Sequence, residues 1–146
     1  MKFDTKKNSK ILVIVLMVAF IRMHAQSGSG TIEVTIENIE SNKGSIVVGL
    51  YKNPENFLKK PFEHKKLTAQ NGKLTTTFEG IESGIYAISL YHDEDDNGKI
   101  NTNMLGIPTE DYGISNNAKN MFGPPKWEDA KFSIKSGEIV KQHIQL

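Results

Sequence analysis

The segment TIEVTIENI, residues 31–39, places Ile32, Val34 and Ile36 alternately with Glu33, Thr35 and Glu37. Successive side chains of a strand point to opposite faces, so this alternation predicts a strand with one buried and one wet face. SNKG then supplies turn residues and GSIVVGLYK a second apolar run, so residues 31–52 are expected to form a hairpin. KLTTTFEG, GIYAISLYH, DAKFSIK and GEIVKQHIQL predict four further strands, the last two meeting at Ser136-Gly137. PENFLKKPF reads as one short helical turn that Pro61 ends, because proline cannot continue the hydrogen-bond ladder.

No helical period exceeds about two turns, so the predicted fold is all-β: a single antiparallel β-sandwich, Ig-like or prealbumin-like, of about seven strands. The apolar side of each alternation sends Val34, Ile36, Val48, Leu50, Phe78, Ile88, Leu90, Phe132, Ile134 and Ile144 inward. In ESGIYAISL, Tyr86 follows Gly84 at a strand entrance. Its hydroxyl is placed to cap the preceding turn as a tyrosine corner does, or its ring is an ordinary core aromatic.

Residues 93–128 interrupt this regularity with a long segment in which no strand is evident. Irregular segments of such length usually carry function or are disordered. Leu105, Ile107, Tyr112, Ile114, Met121, Phe122 and Trp127 are spaced through it, and are expected to anchor an ordered loop on the domain.

That segment begins inside YHDEDDNGKINTN, residues 91–103. From Asp93 the order is D-x-D-x-N-G-x-I-N, with Asp93, Asp95 and Asn97 alternating, then Gly98, Lys99, Ile100 and Asn101. Calcium loops of the EF-hand kind use this order: oxygens at positions one, three and five, glycine at six, a backbone carbonyl at seven and an apolar pin at eight. The carbonyl here belongs to Lys99, and Met104 occupies position twelve, where a bidentate Glu would sit. Calcium takes six to eight oxygens, so Asn103, Glu110 or Asp111 is expected to complete the set. The other reading is a metal-free turn, because Asn-Gly is also a strong hairpin signal. Four adjacent acids, Asp93 to Asp96, favour the cation, which offsets their mutual repulsion. Oxygen donors with no cysteine argue against zinc or copper.

Charge and targeting change the picture at the other end. Lys2, Lys6, Lys7 and Lys10 precede Ile11–Ile21, which holds no polar residue, and Ala25 precedes Gln26. This describes a signal peptide, residues 1–25, cleaved to leave a short lead at 26–30 and a sandwich domain at 31–146. The apolar run is too short for a stable span, and with no cysteine a lipid anchor has no attachment point, so the processed chain is expected to be periplasmic or secreted. Residues 1–25 hold five of the 18 basic residues and one of the 17 acids, leaving 13 against 16. A chain of that balance does not bind nucleic acid through its phosphates.

HDEDDNGKINTNMLGIPTEDYGISNNA followed by GPPKWEDAKFSI resembles a bacterial family, the domain of unknown function 2141. Its pattern runs close to H-D-x-N-x-N-G-x-L-D-x-N-x-x-G-x-P-x-E-G-Y-G-F-S-N. The match passes through His92, Asp93, Asn97, Gly98, Asn103, Gly106, Pro108, Glu110, Tyr112, Gly113, Ser115 and Asn116, and covers nearly all of residues 30–146. Asp95 stands where that family often has Asn, Asn101 where it often has Asp, and Asp111 where it often has Gly. The resemblance implies export and this fold, and implies no reaction.

An enzyme finds little to work with here. The chain has no G-x-S-x-G, phosphate loop or H-E-x-x-H, and His92 and Asp93, as strand neighbours, point apart. The fold is similar to transthyretin-like and carboxypeptidase-regulatory modules, but the His/Arg set and C-terminal Tyr-Arg-Gly-Ser of the purine-hydrolysing relatives are missing. The expected function is an exported, calcium-stabilised module that binds a protein or glycan or serves structurally. The alternative is a small hydrolase or carbohydrate-binding module with a pocket under residues 104–128, lined by Tyr112, Phe122 and Trp127.

Overall fold

Strands β1 (Gly30–Ile39), β4 (Gly72–Ile81) and β8 (Ile139–Gln145) form one sheet in the order β4-β1-β8. The second sheet runs β3-β2-β5-β6, from β2 (Ser45–Tyr51), β3 (Glu63–Thr68), β5 (Gly84–Asp93) and β6 (Tyr112–Ile114), and β7 (Phe132–Ile134) also pairs with β5. The computed structural model describes residues 28–146; residues 1–25, expected to be a signal peptide, lie outside the described residues. All pairings are antiparallel except β1 with β8, which is parallel. Among the described residues no helix is long and apolar enough to cross a membrane.

The sandwich forms because both sheets present apolar faces to a shared core. β1 alternates buried and half-buried positions along most of its length, and Ile32, Val34 and Ile36 meet Val48, Leu50, Ile88, Leu90, Phe78 and Ile144 in one buried cluster. Phe132 departs from its expected burial. It is only half-buried, because the three-residue strand β7 pairs with the very start of β5 and gives the inner position to Ile134.

The expected hairpin over 31–52 is corrected: β1 and β2 lie in different sheets. Alternation specifies which face is buried and leaves the partner strand open, so two facing strands read like two paired ones. The turn between them crosses the edge of the sandwich at Gly44, whose φ is 65°. A Cβ at Gly44 would lie 2.0 Å from the Asp93 carbonyl oxygen, so this crossing and the end of β5 are packed backbone to backbone. Ser136-Gly137 likewise carries the chain from β7 to β8, between sheets.

Two strands escape the pattern. β3, EHKKLT, buries no residue fully and lies at the edge of its sheet, so it has little apolar rhythm to read. β6 falls inside the segment expected to lack strands. It is short, and its middle residue Gly113 sits so close to β8 that a Cβ would lie 2.5 Å from Ile144 and 2.6 Å from the Gln145 carbonyl.

A second apolar cluster covers the outer face of β5. Tyr51, Phe57, Ala87, Ile114 and Ala130 gather there with Trp127, which begins the short helix α1 (Trp127–Ala130). Phe57 stands edge-on to Tyr51 at 5.4 Å and to Trp127 at 5.7 Å. Ser115, wholly buried, fastens this layer: its hydroxyl accepts the Ile88 N–H at 2.9 Å and donates to the Ala130 carbonyl at 2.6 Å. Asn116 and Asn117 follow in left-handed conformation, at φ of 60° and 50°. Their side-chain amides donate to the carbonyls of Asp129, Lys131 and His143. At the entrance to β5 the Tyr86 hydroxyl donates to the Glu82 carbonyl at 3.1 Å, the bond a tyrosine corner requires, while the ring is buried in the core.

Candidate metal centre

Strand β5 ends by delivering two side chains to opposite faces. His92 is buried, its Nε2 2.8 Å from the Lys43 carbonyl oxygen and its backbone N–H donating to the Asp111 carbonyl at 2.9 Å. Asp93 turns the other way and is also completely buried. The two do not form a dyad.

Past Asp93 the chain coils around its carboxylate. Asp96 and Gly98 take positive φ, 56° and 80°, and the coil aims the N–H of Asn97 at Asp93 Oδ1 and that of Gly98 at Asp93 Oδ2, each at 3.0 Å. Asp95 accepts the Asn97 N–H at 3.2 Å, the Asn97 side-chain amide at 2.9 Å and the Asn101 amide at 2.9 Å. Glu110 reaches back from beyond the next turn and takes the N–H of Glu94 at 3.1 Å and of Asn101 at 2.8 Å.

These bonds bring one oxygen each of Asp93, Asp95 and Glu110 to within 4.8 Å of one another. Calcium–oxygen bonds are about 2.3–2.6 Å, so two oxygens on one ion are at most about 5 Å apart, and the three carboxylates are spaced to share a cation. Protein charge compensation is thin. The half-exposed Lys66 ammonium lies 3.8 Å from Asp93 and is engaged more closely by Asp96, at 2.9 Å. The Asn101 amide, more than any other group, holds the Asp95 carboxyl below its ordinary range. The Ser45 hydroxyl, 2.6 Å away, does the same for Asp96, helped by Lys66. Asp96 in turn raises the Lys66 ammonium.

Of the residues expected from sequence, Asp93, Asp95 and Glu110 are brought together, with Asn97 and Asn101 directly against Asp95. The Asn97 amide also donates to Asn101 Oδ1 at 2.7 Å, and Lys99 donates its N–H to Asn97 Oδ1 at 3.0 Å. Asn103 has another task. Its side-chain oxygen accepts the N–H groups of Leu105 and Ile107, at 2.9 and 3.1 Å, and so caps the turn beyond the acidic cluster.

The long loop is ordered by these polar bonds rather than by the apolar anchors expected of it. Ile114 is buried and Trp127 packs on the outer cluster, but Leu105, Ile107, Tyr112, Met121 and Phe122 are exposed. With Phe122 almost wholly in solvent and Trp127 set against Phe57, Tyr112, Phe122 and Trp127 do not line a common pocket. A cleft of about 370 Å³ lies elsewhere, among Lys52, Asn53, Asn56, Lys60, Pro61 and Phe62. Ser115 and Asn116 entered the sequence reading only as positions of the family pattern, with no structural role, and Asn117 not at all; two consecutive asparagines, which tolerate left-handed backbone, were a further signal.

Residues 34–142 match the family model described as an uncharacterized protein conserved in bacteria (DUF2141). No curated protein and no solved structure matches the chain. The chain belongs to that bacterial family.

Proposed function

Starting from that membership, we propose that the chain is an exported β-sandwich module whose 93–110 loop binds calcium, with a binding or structural role and no catalytic one. The observation that carries the reading is the convergence of Asp93, Asp95 and Glu110 within 4.8 Å. All three donors are hard carboxylate oxygens, which suit calcium, and no cysteine is present to favour a softer ion. Glu110 takes the part that position twelve plays in the helical version of this loop. Asn97 and Asn101 complete the set by turning their amide oxygens inward, and the Lys99 carbonyl adds a further ligand.

Calcium here replaces amide hydrogens with a full positive charge beside a buried carboxylate, so the ion stabilises the loop and the end of β5 together. Export rests on the basic and apolar leader, Lys2 to Ile21. The non-catalytic reading rests on the commitment of His92 to the Lys43 carbonyl, which leaves Asp93 without a base beside it. A protein or glycan is the partner class.

Calorimetric titration with calcium, and separately with magnesium, tests the metal. Saturable calcium binding with a dissociation constant of about 10⁻⁴ to 10⁻³ M is expected, the weak end typical of extracellular modules. Absence of calcium heat, with no effect on melting, would leave the loop an acidic turn.

A further inference from the structure

The sandwich closes one of its two sides and leaves the other open. Beside β8 the Asn117 side chain binds the free backbone groups, its amide donating to the His143 carbonyl at 3.1 Å and its oxygen accepting the Gln145 N–H at 3.0 Å. The edge facing β8 in the second sheet is β6, three residues long and pressed against β8 at Gly113. The opposite side is formed by β3 and β4. β3 is guarded by charge: the Lys65 ammonium lies over the Phe78 ring, 5.4 Å from its centre, and Lys66 follows it. Pairing β3 with its own copy about its middle would set Lys65 or Lys66 against itself, which is unfavourable. β4 runs for ten residues with β1 on one side, and among the described residues no backbone hydrogen bond engages the other. A free edge of that length is a template for another strand.

The sequence of the edge selects the strand. KLTTTFE, residues 73–79, is complementary to itself when two copies run antiparallel about Thr76. Lys73 then stands opposite Glu79, Leu74 opposite Phe78 and Thr75 opposite Thr77, each twice. A centre at Thr75 would put Lys73 opposite Thr77, and a centre at Thr77 would put Glu79 opposite Thr75, so one register satisfies the charges. Alternation places Lys73, Thr75, Thr77 and Glu79 on the outer face and Leu74, Thr76 and Phe78 on the inner one. A two-fold axis normal to the sheet keeps the two faces apart, and the half-buried Leu74 gains the Phe78 of the other copy as its neighbour. Beyond Phe78 the register with β1 shifts in a bulge at Gly80, whose φ is 73°, and this ends the regular stretch. Lys73 has a loose ion pair, 4.0 Å from Glu37, and Glu79 has none among the described residues. We propose that two copies of the chain join β4 to β4 about Thr76 and form one continuous sheet in the order β8-β1-β4-β4-β1-β8. About six to eight backbone hydrogen bonds cross the seam. The contact is isologous and the outer β8 edges are covered, so assembly stops at two copies. It does not depend on the metal reading.

Sedimentation equilibrium of the full chain at physiological salt should show a monomer–dimer equilibrium, in the weak class that so small a contact implies. Lys73→Glu and Glu79→Lys each turn two attractive pairs into two repulsive ones, and each should associate at least about tenfold more weakly. Glu79→Lys removes no ion pair within the monomer, so it should melt as the wild-type monomer does. An equimolar mixture of the two variants should dimerise again, because every repelled charge then meets its opposite. The double exchange in one chain should dimerise like wild type. Amide exchange over residues 73–79 should slow as the concentration rises. A chain that stays monomeric, a dimer that both single variants retain, or a mixture that does not recover association overturns the proposal. So does full protection of residues 73–79 in the monomer, which would mean that another part of the same chain covers the edge.

Discussion

Glu110 accepts the backbone N–H of Asn101 through Oε2 at 2.8 Å, nine residues back along the chain. The same carboxylate belongs to the acidic triad, so closing the hairpin stem and assembling the metal ligands are one event. Glu110→Gln keeps an acceptor for the stem and removes the charge. It gives up the second bond, from the Glu94 N–H, so its melting temperature without calcium should lie slightly below wild type while the calcium-dependent rise is largely lost. Glu110→Ala should lose that rise and also about 1 kcal/mol of metal-free stability, the usual scale of a hydrogen bond. Melting curves with calcium and with chelator check both.

Asp93 and Glu94 are adjacent acids with opposite expected behaviour. At about a hundred times its dissociation constant, calcium adds roughly 2.7 kcal/mol, several degrees of melting temperature. Asp93→Ala should abolish this gain. It should also destabilise the metal-free protein by about 1–3 kcal/mol, because the Asn97 and Gly98 N–H groups lose their acceptor. From sequence alone, relief of acid repulsion would leave that variant as stable as wild type or more so; the two backbone bonds reverse the expectation. Glu94→Ala, whose side chain is exposed, should keep nearly all of the calcium shift.

Core truncations should separate the two strand faces. Leu90→Ala empties a site at the centre of the sandwich and is expected to cost roughly 2–5 kcal/mol in denaturant unfolding. Phe132→Ala, at a half-buried position on the margin, should cost about 1–2 kcal/mol. Equal losses would mean that β7 is packed more deeply than its burial indicates.

Acid stability should depend on Ser45. Its hydroxyl, and then Lys66, depress the Asp96 carboxyl below its ordinary 3.8 in the folded chain. The unfolded chain takes up this proton first, so the contribution is complete above about pH 4 and is lost as the pH falls through the folded value. Ser45→Ala should therefore narrow the difference in unfolding free energy between pH 7 and pH 3. The alanine fits the space, so an unchanged difference would remove Asp96 from the acid response.

How much of this was legible in the sequence depends on the range of the interaction. The buried faces of β1 and β8 were visible because burial writes a period of two into each, whereas β2 and the middle of β5, buried on both faces, were visible as apolar runs. The pairing of β1 with β4 and β8 was not, since the sandwich brings together residues far apart in the chain. The coil around Asp93 was legible because Asp93, Asp95, Asn97 and Gly98 lie within one short stretch. Glu110 entered only as one of several acids within reach, and its choice depends on how the 101–110 hairpin folds back. The apolar residues of the loop misled for the same reason: Leu105 and Phe122 look like anchors by type, and only their places at apices show that they face outward.

The parallel pairing of β1 with β8 sets the order in which the molecule can assemble. The strand at the centre of the first sheet gains its second neighbour only from residues 139–145, the last of the described strands. A nascent polypeptide that emerges N-terminus first keeps Ile32, Val34 and Ile36 incompletely covered until β8 arrives. Closing a ring of more than a hundred residues is slow even where its equilibrium cost is modest. The sandwich is thus committed only once β8 lies beside β1, so its first sheet cannot close from the N-terminal strands alone.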